Sequence, residues 1–333
     1  MKDIDEIIAA ALQGEKAATS RLISLVERGD SHAPYILRKM YPHAGKAYYI
    51  GVTGPPGAGK SSMVDKLVRR FCQKGHSVGV VAVDPSSPFS GGALLGDRVR
   101  MNIKKKEYDY FFRSMSAGRI MGGLSQTTRE AARILDASGR DIIIIETVGV
   151  GQSELDIAKV TDTVVVMLTP ESGDGVQIMK AGLMEVADVF VVNKCDRPGA
   201  ENVAHSLKGM LDRIDSRLDW RPPIFMTSAA MNQGIDALYD GLWDHNRYLK
   251  RDNKMELRRR RQIKEELKHH VEAECARLIW SQIDNGREID SALDHVWEYR
   301  IDPQNAAREI VSDWLRSRAA GERWLGGSIM AVV

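Results

Sequence analysis

The chain has 333 residues, is 43% hydrophobic and 28% charged, and carries a formal net charge of +2. This is ordinary globular composition, long enough for about two domains or one large domain with extensions. The small net charge argues for neither a nucleic-acid partner nor a membrane-surface one, and no run approaches the roughly 18 apolar residues of a membrane span. Cys72, Cys195 and Cys275 are far apart with no metal-ligand spacing, and Met1–Glu6 carries acids where a secretory leader needs bases. The expectation is a soluble, cytoplasmic chain.

Residues 1–46 read as a helical extension. Ile4, Ile7, Ile8, Ala11 and Leu12 share one helical face, and Gly14 breaks it. Ala17, Leu22, Ile23, Leu25 and Val26 form a second helix that Gly29-Asp30 can end. Nothing catalytic shows here, and packing is the expected role.

Residues 47–243 alternate short apolar runs with amphipathic stretches. The runs are 47–53, 78–83, 141–146, 163–169, 189–193 and 224–227, with a further strand at Tyr110–Ser114. Most are continuous Val/Ile, which suits parallel strands buried on both faces. The pattern predicts an α/β fold with a doubly wound, mostly parallel sheet, whose ligands bind beyond the carboxyl ends of the strands.

The first run feeds Gly54-Pro55-Pro56-Gly57-Ala58-Gly59-Lys60-Ser61, which fits the phosphate-cradling pattern G-x-x-x-x-G-K-[ST]. Ser62 then opens an amphipathic helix. Backbone amides and the helix dipole converge on a phosphate, Lys60 reaches the β/γ oxygens, and the Ser61 hydroxyl suits Mg²⁺. A chance Gly/Pro turn is the alternative, and the strand before and helix after argue against it.

Three later loops carry acids and glycines at strand ends. Asp84 and Asp97 bracket a Pro/Ser/Gly-rich stretch, and each is either an Mg²⁺ ligand or a cap or turn residue. Glu146 ends the run Asp141–Ile145 as the Mg²⁺ carboxylate of a Walker B strand would. Gly149 lies three residues on, where a switch glycine presents its amide to the γ-phosphate. The loop Pro170–Lys180 is either a third functional loop or an ordinary strand-to-helix connection, and Lys180 either acts there or is a solvated helix charge.

Asn193-Lys194-Cys195-Asp196 follows the run 189–193 and fits N-K-x-D, the guanine-reading pattern of GTPases. A carboxylate at Asp196 accepts from guanine N1–H and the 2-amino group together. Adenine offers no such donor pair, so the carboxylate would be left unpaired. Asn193 ties loops together, and the Lys194 stem packs on the base. Thr227-Ser228-Ala229 stands where GTPases place a Ser-Ala pair beside guanine O6.

Residues 244–333 read as a C-terminal helical region. Lys250–Arg261 is basic and ends in four arginines, expected as a solvated helix face. Ile263, Leu267, Val271, Cys275 and Leu278 mark a long helix, and Ile289, Leu293, Val296 and Trp297 another. Asp302-Pro303 caps a third. Helices appended to a complete nucleotide fold suggest assembly, here a homodimer.

Assembled in this order, the chain resembles the MeaB/ArgK family of P-loop GTPases, relatives of the methylmalonic aciduria type A protein. The resemblance rests on Gly54–Ser61, Val83–Ser87 with Gly91-Gly92, Leu95–Arg98, Asn193–Asp196 and above all Glu146–Glu154. It implies a GTP/GDP-binding chaperone of an adenosylcobalamin-dependent acyl-CoA mutase, with Ser61, Asp84, Asp97 and Glu146 around Mg²⁺. It also implies loops near 84–100, 146–156 and 170–182 that change with nucleotide, and a role for Lys180 in partner-stimulated hydrolysis. The family's older label, a transport-associated kinase, is discounted. The loop from Pro170 to Gln177 departs from the Gly-Gly-Gly-Asp-Glu-Leu-Gln type, which bears on partner contacts.

Val150 follows Gly149 where many GTPases carry a water-positioning Gln, so hydrolysis is expected to be slow alone and completed by the partner. The competing reading is a GTP-dependent metallochaperone, which would want a His-rich tract or a Cys/His pair. His269-His270 is the sole His doublet.

Overall fold

The computed structural model describes residues 2–84, 108–116, 126–147, 153–172, 182–213, 219–283 and 287–321. The chain forms two compact units, Met1–Arg259 and Arg260–Val333.

The first unit is built on a seven-stranded sheet in which every pair of neighbours is parallel. Its strands are β1 (Tyr48–Thr53), β2 (Val78–Asp84), β3 (Tyr110–Ser116), β4 (Ile142–Glu146), β5 (Thr163–Leu168), β6 (Val189–Val192) and β7 (Ile224–Met226), in the order β3-β2-β4-β1-β5-β6-β7. The six apolar runs and the additional strand at Tyr110 are all present, shifted by a residue or two at their ends.

The continuous Val/Ile composition has the expected cause. Alternate residues of one strand enter different cores: Ile143 and Ile145 join one apolar cluster, Ile142 and Ile144 the other. The first cluster is covered by α1 (Lys2–Leu12), α2 (Lys16–Glu27), α3 (Ala33–Met40) and α5 (Gln126–Ala137). The second is covered by α4 (Lys60–Gln73), which packs Met63, Val64, Leu67, Val68 and Phe71 inward. The short α6 (Ser153–Asp156) and α7 (Leu183–Val186) follow, then α8 (Ala200–Leu211) on the first face and α9 (Ile235–Lys250) on the second.

Residues 1–46 therefore close one face of the sheet. Leu22, Ile23 and Ile36 are within 1% of complete burial. The sequence pattern yielded α1 and α2 but not α3, whose two turns are too short for periodicity to mark.

α10 (Lys254–Ile283) begins in the first unit, and its basic start is not a solvated face throughout. Arg258 donates to both oxygens of Asp188, at 2.9 and 2.8 Å. Arg259 donates to both oxygens of Asp162, at 2.8 and 2.6 Å, and to the carbonyls of Gly45 and Ala47. Asp162 and Asp188 immediately precede β5 and β6. These arginines thus fasten the first turns of the helix, within the first unit, to the amino ends of the strands.

The second unit continues α10 and adds α11 (Arg287–Trp297) and α12 (Pro303–Gly321). The Asp302 cap is formed: its Oδ1 accepts from the amides of Gln304 and Asn305 at 3.0 and 3.1 Å. Leu267, Val271, Trp280, Leu293, Trp297 and Leu315 are exposed on its helices. No helix among the described residues is long and apolar enough to cross a membrane.

Candidate active site

The loop after β1 runs from Gly54 to Gly59 into the N-terminus of α4. Two of its glycines are sterically required. A Cβ on Gly54 would lie 2.1 Å from the Met167 carbonyl oxygen of β5, and one on Gly59, at φ 84°, would lie 2.5 Å from Asn193 Nδ2. Ala58 is buried, while Pro56, Gly57 and Ser62 are exposed at the rim.

Lys60 is buried, with Nζ donating to the Gly54 and Pro55 carbonyls at 2.7 and 3.0 Å. Burial lowers its pKa, and the carboxylates of Glu146 and Glu154 act the other way. Ser61 Oγ donates to Glu146 Oε1 at 2.6 Å. This contact follows from register: Glu146, at the end of β4, pairs with Val52 of β1 and Ala82 of β2. The carboxylate is therefore delivered to the mouth of the phosphate loop. Asp84 ends β2 two residues past Ala82, on the same carboxyl edge of the sheet. Thr147 Oγ1 donates to Thr53 Oγ1 at 2.9 Å, tying the ends of β4 and β1.

The other wall of the site is organised by Asn193, which is 2% exposed. Its Nδ2 donates to the Ala58 carbonyl at 2.8 Å, and its Oδ1 accepts from the Ala229 amide at 3.1 Å and Thr227 Oγ1 at 3.3 Å. One side chain thus joins the phosphate loop, the end of β6 and the loop after β7. The Ser228 amide donates to the Gln233 carbonyl at 3.0 Å, so both amides of the Ser-Ala pair donate within the protein. Lys194 adopts a left-handed φ of 59°, and the Cys195 amide donates to the Thr227 carbonyl at 2.9 Å. Asp196 is exposed. A hydrogen bond from the Ser228 hydroxyl holds its carboxyl below the usual range.

The structure thus brings together Gly54–Ser62, Glu146, Asn193, Lys194, Asp196, Ser228 and Ala229 at one edge of the sheet. Asp97, Gly149 and Lys180 lie outside the described residues. Two residues that no sequence signal singles out belong to the site. Glu154 is half-buried, its carboxyl raised by burial and opposed by the Lys60 charge. Glu171 pairs with Lys194 and Arg197. Glu154 stands inside the most distinctive string of the chain, but a lone acid in a loop has no spacing signal to mark its role.

Comparison with known proteins finds GTPase relatives along most of the chain. The family model for the methylmalonyl Co-A mutase-associated GTPase MeaB matches residues 19–284. A relative from Pyrococcus abyssi, whose name carries only a GTPase designation, is 45% identical over 313 residues, spanning 93% of this chain and 96% of its own. The GTPase ArgK of Escherichia coli is 34% identical over 313 residues, spanning 92% and 95%. The mitochondrial methylmalonic aciduria type A homolog of Mus musculus is 33% identical over 283 residues, spanning 78% and 67%. Among solved structures, a LAO/AO transport system kinase superposes with a TM-score of 0.71 at 28% identity, covering 94% of this chain and 97% of that one.

Proposed function

The chain belongs to the MeaB family of methylmalonyl-CoA mutase-associated GTPases, and we propose that it binds and hydrolyses GTP to gate cofactor loading into, and to protect or reactivate, an adenosylcobalamin-dependent acyl-CoA mutase. The observation that carries the nucleotide half of this reading is the Asn193 bridge. Its side chain joins the Ala58 carbonyl of the phosphate loop to the Ala229 amide beside the base loop. A triphosphate gripped at Gly54–Ser62 and a purine read by Asp196 therefore belong to one rigid site. The partner half is supported by the family and by the name of the murine relative.

In this reading Lys60 exchanges the Gly54 and Pro55 carbonyls for phosphate oxygens. The amides of residues 57–62 cradle the same anion at the start of α4. Asn193, Lys194 and Asp196 orient the guanine, with Ser228 and Ala229 shaping the pocket edge. The pair Ser61 Oγ and Glu146 Oε1, 2.6 Å apart, offers hard oxygen donors that suit Mg²⁺. Ser61 and Glu146 would hold the ion, with Asp84 and Asp97 as further carboxylates. When bound, Mg²⁺ neutralises charge that develops on the phosphate oxygens. The Gly149 amide would meet the γ-phosphate, and Lys180 would act when the partner is engaged. The protein alone is slow.

The exposed apolar residues of the second unit, among them Leu267, Trp280, Leu293 and Trp297, support a homodimer. The test of the whole reading is GTP turnover by purified protein with and without a B12-dependent acyl-CoA mutase. Stimulation of at least tenfold by the mutase is expected. Stimulation by nickel or cobalt instead would favour a metallochaperone and overturn the mutase assignment.

A further inference from the structure

The turn that follows β5 carries a carboxylate aimed at the base loop. Glu171 lies on the 3-10 turn Pro170–Ser172. Its Oε2 is 3.4 Å from Lys194 Nζ, and its Oε1 accepts from Arg197 Nη1. Both cations belong to the loop that carries Asp196. That loop is otherwise closed by the Arg197 amide donating to the Lys194 carbonyl at 2.9 Å.

We propose that Glu171 is a positioning residue for guanine recognition: it draws Arg197 away from Asp196 and steadies Lys194, leaving the Asp196 carboxylate open to the base. The inference rests on the nucleotide reading given above. Its reason is competition for one carboxylate. Arg197 follows Asp196 directly in sequence, and its charge already acts on that carboxyl, while Glu171 acts on it in the opposite sense. A guanidinium presents a fork of donors that matches a carboxylate. Guanine presents its N1–H and 2-amino group to the same two oxygens. Unrestrained, Arg197 would fold back onto Asp196 and compete with the base. Glu171 provides the alternative acceptor, and Arg197 in return holds the Glu171 carboxyl down at about 2, so the carboxyl stays ionised at neutral pH.

As an exposed ion pair this contact adds little to fold stability. Its effect lies in which carboxylate the arginine chooses, so it should appear in base discrimination and not in melting.

The experiment compares GDP, IDP and ADP binding in the full-length protein and in Glu171→Gln, Arg197→Gln and the double variant. IDP lacks the 2-amino group, so the ratio of GDP to IDP affinity reads the Asp196 contact directly. Glu171→Gln is expected to weaken GDP by about three- to tenfold and to narrow the GDP/IDP ratio. Arg197→Gln should keep the parental ratio, and adding it to Glu171→Gln should restore that ratio. A parental ratio in Glu171→Gln, or a double variant as poor as the single, would overturn the proposal. Parental protein that does not prefer GDP over ADP would instead overturn the nucleotide reading itself.

Discussion

Arg259 holds Asp162 with two parallel hydrogen bonds, although the two residues lie on α10 and at the entry to β5. The Asp162 side chain is 2% exposed, and its Oδ2 also accepts from the Tyr49 amide at 2.9 Å. Removing the guanidinium would strand a buried carboxylate. Arg259→Ala is expected to destabilise the protein by about 3 kcal/mol or more. Pairing it with Asp162→Asn should recover part of that loss. Urea denaturation of the single and double variants measures both; additive losses would contradict the pairing.

A buried imidazole sets a pH dependence. His245 is fully enclosed, with Nδ1 2.7 Å from Thr163 Oγ1 and Nε2 3.4 Å from Asp188 Oδ1. Burial pushes the imidazole down to about 4; Asp188 opposes this, while Arg258 works with it. Arg258 donates hydrogen bonds to both Asp188 oxygens, which leaves burial dominant. Between pH 6.5 and about 4 the unfolded chain binds a proton at this position and the folded chain does not. Stability is therefore present above pH 6.5 and declines as pH falls toward 4, by about 3 kcal/mol from this group. Denaturation midpoints for the parental protein and His245→Gln should converge on acidification.

Asn193→Ala would leave the Ala58 carbonyl and the Ala229 amide without their shared partner inside the protein. A loss of about 2 kcal/mol in stability is expected, with a larger loss in guanine-nucleotide affinity. Gly59→Ala addresses the same contact from the opposite side, since its Cβ would meet Asn193 Nδ2 at 2.5 Å. Calorimetric titration with GDP, alongside thermal melting, separates the two effects.

Much of this architecture is legible in the sequence because buried parallel strands write themselves as unbroken Val/Ile runs. The phosphate loop and the Asn193–Asp196 motif each combine local residue types with a strand just before them, so both were readable. The arginine fasteners were not. Arg258 and Arg259 look the same as Arg260 and Arg261 in a basic run, and only the approach of Asp162 and Asp188 singles them out. Glu171 was hidden for a related reason. Its partners lie 23 and 26 positions later, and no periodicity records a contact across a sheet edge.

Substitution at Asp196 tests base reading directly. Asp196→Asn replaces one acceptor with a donor, so guanine's two donors lose a matching surface, while xanthine, with a carbonyl at C2, gains one. GDP affinity should fall by about 10²-fold or more and xanthosine diphosphate affinity should rise. Competition binding with GDP, xanthosine diphosphate and ADP reads out the exchange.

Chelation tests the oxygen pair. With EDTA, or in Ser61→Ala, GTP affinity is expected to fall by about tenfold or more, and the two treatments should not add. Fully additive losses would show that Ser61 acts apart from the cation.

β1 lies in the middle of the sheet, between β4 and β5. The strand that presents the phosphate loop therefore emerges from the ribosome with neither neighbour yet made. One arrives with Glu146, the other only with Leu168. During synthesis its apolar flanks stay open to wrong partners, and parallel pairings of this kind close slowly.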